Sequence, residues 1–186
     1  MSNFFVRLLF SLFAFFLIMS GSSVASAATS DTLVVYFSAT GNTRAMASTI
    51  STAIGADRYE IVPMEPYSED DLNYHNESCR ANSEQKDPAL RPKLKALDAD
   101  LTPYKTVILA YPLWWAEEPR IIDTFVESYD FSGKTVVPVC TSGGSGIEKS
   151  IENIKKNIRG KPSFKDGMRF NSHVTADEFK GWYDSL

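Results

Sequence analysis

The chain has 186 residues, of which 44 % are hydrophobic and 23 % charged, enough apolar material for one domain with a full core and too much for a disordered chain. Its 19 basic and 23 acidic residues give a net charge of −4, with no positive excess to hold nucleic acid. Two cysteines without C-x-x-C spacing exclude a dithiol redox site and a zinc ribbon, and His75 and His173 have no metal-ligand spacing.

Residues 1–27 read as a secretory signal peptide. Arg7 is the only charge before Asp31, residues 8–19 are almost wholly apolar, and Ala25-Ser26-Ala27 supplies an A-x-A cleavage site. The apolar run is too short to span a bilayer comfortably, so no stable membrane insertion is expected after cleavage. Export to the periplasm or beyond the cell is expected. Loss of Arg7 leaves 18 basic against 23 acidic residues, or −5, on a single domain covering 28–186.

Residues 33–37, LVVYF, form a short apolar run rich in β-branched and aromatic side chains, which predicts a buried strand. Six small residues follow, Ser38-Ala39-Thr40-Gly41-Asn42-Thr43, and then a helical stripe of Met46, Ala47, Ile50, Ala53 and Ile54. A strand, a small polar loop and a helix N-terminus together suit a phosphate. Amides and hydroxyls converge on the anion and the helix dipole adds to them. The loop has no Gly-Lys-Ser/Thr, which excludes a nucleotide P-loop, and a single glycine, which excludes a dinucleotide fingerprint.

A second strand is predicted over 58–62, ended by Pro63. The stretch 63–104 is irregular, and Leu90, Leu94 and Leu97 predict one helix in it, starting near Arg91 because Pro92 is tolerated only in a first turn. A third strand over 106–111 runs into the loop 112–119, which carries Trp114 and Trp115, and then a helix with Ile121, Ile122, Phe125, Val126 and Tyr129 on one stripe. A fourth strand over 135–140 runs into Thr141-Ser142-Gly143-Gly144-Ser145-Gly146, followed by a helix carrying Ile147, Ile151, Ile154 and Ile158. A short fifth strand fits 168–170. The last helix opens with a capping box from Thr175 to Glu178 and buries Phe179, Trp182 and Leu186.

Strands alternating with helices imply an α/β fold, a parallel sheet covered on both faces in three layers. In such a sheet the loops at the carboxyl ends of the strands surround the ligand crevice. Three unusual loops emerge there. The first is built for phosphate. The second offers two adjacent tryptophans that cannot both point inward easily, so one is expected to wall a ligand ring and the other to enter the core, with Trp115 the expected ring partner. The third is glycine-rich, which lets backbone approach a planar ligand.

On these pieces, VVYFSATGNT (34–43), YPLWWAEEP (111–119) and FSGKTVVPVCTSGGSGI (131–147), the chain resembles the bacterial flavodoxin-like family over 33–186. The resemblance implies a three-layer doubly wound flavodoxin-like fold with a five-stranded parallel sheet in order 2-1-3-4-5, and FMN as cofactor. It implies that Ser38, Thr40, Gly41, Asn42 and Thr43 bind the phosphate. Pro112, Leu113, Trp114 and Trp115 would line the ring, and Ser142, Gly143, Gly144 and Ser145 would approach its pyrimidine edge. An electron-transfer protein with a redox protein partner or a small quinone-like acceptor follows from it. The alternative is an FMN-dependent NAD(P)H or quinone-type oxidoreductase, with 63–104 and Glu117-Glu118 shaping a substrate pocket. A further alternative is a flavin-free binding module.

Two other motifs fail. A Cys-x5-Arg phosphatase loop starting at Cys140 would need Arg where Gly146 stands, and a G-x-S-x-G elbow from Gly143 would need Gly where Ile147 stands. Cys140 ends a strand, where a buried thiol is expected, and Cys79 lies in a polar loop. An exporting compartment permits a bridge between them, and the sequence leaves that open.

Overall fold

Alternating apolar strands and striped helices build one parallel sheet with helices on both faces. The structure is a computed structural model describing residues 30–186. The predicted signal peptide and its cleavage site lie outside the described residues. Among the described residues no helix is long and apolar enough to cross a membrane.

In chain order the elements are β1 (Thr32–Tyr36), α1 (Asn42–Ile54), β2 (Asp57–Glu60), α2 (Arg80–Lys86), β3 (Thr106–Pro112), α3 (Arg120–Ser128), β4 (Thr135–Thr141), α4 (Glu148–Asn157), β5 (Ser163–Phe164), β6 (Met168–Phe170) and α5 (Ala176–Tyr183). The sheet runs β2-β1-β3-β4-β5, with β6 also paired to β4, and every pairing is parallel. One core, with Val35, Phe37, Leu109, Ile121, Phe125 and Ile154, packs α3 and α4 on the first face. The other, with Val34, Met46, Ile50, Ile108, Val139 and Phe179, packs α1 and α5 on the second. Thr175 caps α5, accepting from the Glu178 amide at 3.2 Å.

The fifth sheet position departs from expectation. It is two short strands, because Val136 pairs with Phe164 and Val139 with Met168, so two residues of β4 face three of the edge. The extra residue sits opposite Pro138, which has no N–H to give a neighbour.

The helix predicted from Arg91 is absent. Residues 93–95 instead run antiparallel to 62–64, with Met64 N donating to Lys93 O and Lys95 N to Val62 O, both at 2.8 Å. The helix of this region is α2, capped by the Cys79 sulfur, which accepts from Asn82 N at 3.4 Å. Its buried residues are Ala81, Asn82 and Glu84, two of them polar, so it carries no apolar stripe to read. Asn82 Nδ2 donates to the carbonyls of Tyr74 and Asn76, and Arg80 stacks on the Tyr67 ring. Through these contacts α2 organises the irregular 63–79 stretch.

Cys79 and Cys140 are both free and buried, so the bridge left open by the sequence is not formed. Burial pushes the Cys140 thiol up to about 12, the state of an inert structural thiol.

Candidate functional site

The 38–43 loop arranges itself. Gly41 caps α1 in the left-handed region, at φ 91°, where a side chain would be strained. Its N–H donates to Ser38 Oγ at 3.1 Å, closing the loop. The first intrahelical bond of α1 is Ala45 N to Gly41 O, so the amides of Asn42, Thr43 and Arg44 have no acceptor within the helix. Thr40 and Asn42 are exposed, and Asn42 Nδ2 lies 3.4 Å from Thr40 Oγ1. Thr43 is buried instead, its hydroxyl 2.8 Å from that of Thr141, so it ties α1 to the end of β4.

The tryptophans sit on a tight turn. Trp114 N donates to Glu117 O at 2.9 Å and Glu117 N to Trp114 O at 3.1 Å. Between them Trp115 and Ala116 both have positive φ, 52° and 63°, the pattern of a type I′ turn that usually takes Asn-Gly. Each left-handed residue with a side chain costs about 1–2 kcal/mol. Trp114 turns inward, edge-on to Phe37 and Tyr67 with ring centres 5.8 and 5.2 Å away. Trp115 is 51 % exposed.

Behind the turn lies a buried charge cluster. Arg120, 3 % exposed, meets Glu117 at 2.5 Å and Glu118 and Asp123 at 3.5 Å each. Lys149 reaches Glu117 from α4 at 2.5 Å. Three carboxyls thus face two cations, and the two acids with no exposure, Glu118 and Asp123, take up the imbalance. Burial, then the neighbouring Asp123 charge, raises Glu118 to about 8, and burial raises Asp123. For Glu117 burial acts upward, but the Lys149 and Arg120 pairs outweigh it and hold the carboxyl low.

Two cavities flank the loops and share Leu113 and Trp114. One, of about 380 Å³, is bounded by Thr40, Leu72, Tyr74, Ala81 and Trp115. The other, of about 350 Å³, is bounded by Asn42, Pro112, Thr141, Ser142, Gly143 and the pair Asn171 and Ser172. A Cβ added to Gly143 or Gly144 would meet nothing within 4 Å, so local packing leaves the space over this loop unused.

A flavodoxin family profile matches residues 31–186. The chain belongs to the flavodoxin family. Two solved structures are similar over most of both chains. A candidate flavoprotein from Bacteroides eggerthii DSM 20697 is 38 % identical with TM-score 0.77, covering 83 % of this chain and 96 % of that one. Another, from Bacteroides uniformis ATCC 8492, is 38 % identical with TM-score 0.78, covering 82 % and 97 %. A flavoprotein from Lactobacillus acidophilus NCFM, solved in complex with FMN, shares the fold at 20 % identity and TM-score 0.61, covering 82 % and 97 %. A search of curated proteins found no match.

In this flavodoxin the three predicted loops do meet at the carboxyl edge. Thr40, Asn42, Pro112, Leu113, Trp114, Trp115, Ser142 and Gly143 border the two cavities, whereas Ser38, Gly41, Thr43, Gly144 and Ser145 do not. Ser38, Gly41 and Thr43 shape the loop from within, and Gly144 N donates to Ser142 Oγ at 3.2 Å. Glu117 and Glu118 do not border either of these two cavities, although Glu117 shares a smaller one of about 230 Å³ with Trp115, Gln85 and Lys149. They border a separate polar cavity of about 320 Å³ with Gln85, Arg120 and Asn153, because the turn folds their side chains back onto Arg120. Sequence reading missed Leu72, Tyr74, Ala81, Asn171 and Ser172 as wall residues. Their only signal was position, in the irregular stretch and in the connection leading to α5.

Proposed function

We propose that this flavodoxin binds FMN at the carboxyl edge of its sheet and acts in electron transfer. The observation that carries the reading is the convergence of an anion loop, an exposed tryptophan and open glycine backbone around two neighbouring cavities that share Leu113 and Trp114. The donor set suits a phosphate monoester, since hydroxyls and the first amides of α1 are available and no lysine is needed. Thr40, Asn42 and those amides would hold the phosphate. Pro112, Leu113 and Trp115 would line the ring, and Ser142 with Gly143 would approach its polar edge. When bound, the flavin supplies the reversible electron chemistry that no side chain here possesses. The chain's part is to hold it, limit water on one side and leave an edge open to a partner.

A second reading, an FMN-dependent NAD(P)H or quinone-type oxidoreductase, is favoured by one observation. The cavity under Tyr74 and Trp115 is apolar enough for a planar substrate. We further propose that the protein acts after export, which the pattern of residues 1–27 supports.

The absorbance spectrum of the purified protein, with mass spectrometry of the released cofactor, tests the first reading. FMN is expected, and an adenine-bearing flavin would refute it. A colourless protein that cannot be reconstituted would point to a flavin-free binding module. Steady-state turnover of quinones with a nicotinamide donor would favour the oxidoreductase.

A further inference from the structure

The 114–117 turn is held from outside itself. Gln85, on α2, straddles it. Its Nε2 donates to Trp114 O at 3.1 Å and to Glu118 O at 3.2 Å, one carbonyl on each side of the turn. Gln85 Oε1 is buried without a partner, so the amide is spent on the turn rather than on its own satisfaction. The Gln85 carbonyl in turn accepts from Arg120 Nη2 at 3.1 Å, and the same nitrogen meets Glu117 Oε2 at 2.5 Å. Lys149 adds a second cation to Glu117. The contacts form a closed circuit from α2 through the buried arginine into the turn. At its tip Trp115 and Ala116 hold left-handed conformations that neither side chain favours.

We propose that Gln85, anchored by Arg120, is a positioning residue that keeps the strained 114–117 turn in its flavin-ready shape before any ligand arrives. The proposal rests on the reading of this turn as the ring wall. Residues in sparsely populated backbone regions persist only where their surroundings over-determine them. Here the surroundings are two side-chain amide bonds and one buried guanidinium. Without the clamp the turn relaxes, and only a fraction of molecules present Trp115 correctly. Apparent flavin affinity then falls by that fraction.

Gln85→Met keeps the side chain's length and removes both donors. In titrations with FMN and with riboflavin it should weaken both by the same factor, about tenfold, because the ring wall and not the phosphate loop is loosened. Ala116→Gly makes a positive φ easy without touching the clamp. Added to Gln85→Met it should restore affinity to within about threefold of the parent protein. Hydrogen exchange of the Glu117 amide, which closes the turn, reads the same effect without flavin. Protection should drop in Gln85→Met and return in the double variant. Unchanged protection in a folded Gln85→Met, or a double variant as labile as the single, would overturn the proposal. If Gln85→Met does not fold, the double variant decides, because Ala116→Gly relieves the strain that the clamp opposes. It should fold, and a double variant that fails as the single does would overturn the proposal. A parent protein that binds no flavin would sink the function reading, while the exchange result would still judge the clamp.

Discussion

In the 38–43 loop the one residue with positive φ is Gly41, whereas in the 114–117 turn the two are Trp115 and Ala116. The first loop closes on its own Ser38 hydroxyl, three residues away. The second is fixed by Gln85, Arg120 and Lys149, brought from three helices. A site for a small charged group can be written locally, in residue types that adopt the required backbone at little cost. A wall for a broad ring needs a bulky residue at the tip of a tight turn, and the conformation must then be enforced through tertiary contacts. The two regions should therefore respond differently to substitution.

The largest effect is expected at the enforced turn. Arg120→Met would leave the ionised Glu117 without its buried cation and the Gln85 carbonyl without its donor, and should cost about 3–5 kcal/mol, read from urea melts. A cost under about 1 kcal/mol would mean that Lys149 alone satisfies Glu117 and that the arginine does not hold the turn. Next is the tryptophan pair. Trp114→Ala empties the space beside Phe37 and Tyr67 and should cost about 3 kcal/mol of stability. Trp115→Ala should stay within about 0.5 kcal/mol in a thermal melt and instead weaken flavin binding and shift the flavin's reduction potential. The reverse assignment would place Trp114 at the ring.

At the local loop the effect should be smaller and confined to the phosphate. Thr40→Ala should weaken FMN by about 1.5–3 kcal/mol and leave riboflavin nearly unchanged. Equal losses for both would mean that the loop does not hold the phosphate. The Thr43 hydroxyl is shared with Thr141, so Thr43→Ala is expected to lower stability as well and is the poorer probe.

The smallest and most specific effect is with pH. Glu118 and Asp123 have folded values raised above their unfolded ones by burial. Such groups contribute stability fully below the unfolded value and lose it as pH rises through the folded one. Glu117, held low by Lys149 and Arg120, has the opposite sign, and its contribution is lost as pH falls through its folded value. Besides Arg120 and each other, the groups around Glu118 and Asp123 include Asn153, Asn157, Arg91 and the like-charged Glu127. Melting temperature should therefore decline from pH 6 to pH 9, and Glu118→Gln should flatten the decline. An unchanged slope would place the titration elsewhere.

The alternation of strands and helices, both helical layers and the three edge loops could be read in the sequence because each rests on local periodicity or on residue type, whereas the strand order came only with the family resemblance. The clamp could not be read there. Gln85 falls in a polar stretch that reads as irregular and Arg120 stands just before the apolar stripe of its helix, and only the fold brings them beneath the tryptophans. The helix misplaced at Arg91 has the same origin. Three leucines at helical spacing outweighed α2, whose buried face is Ala81, Asn82 and Glu84 and whose start is marked by a cysteine. Tyr74 and Leu72 reach the site only because α2 holds their stretch against the edge.

The broken strand opposite Pro138 has a bearing on how copies of this molecule behave in company. A long, flat outer strand presents a row of unpaired amides and carbonyls on which another chain can template itself. On this side of the sheet the border is divided into Ser163–Phe164 and Met168–Phe170, and at the opposite border β2 is only four residues long. Neither border offers an unbroken stretch long enough to recruit a second strand firmly. The break opposite Pro138 thus shortens one of the two borders on which a second copy could add a strand.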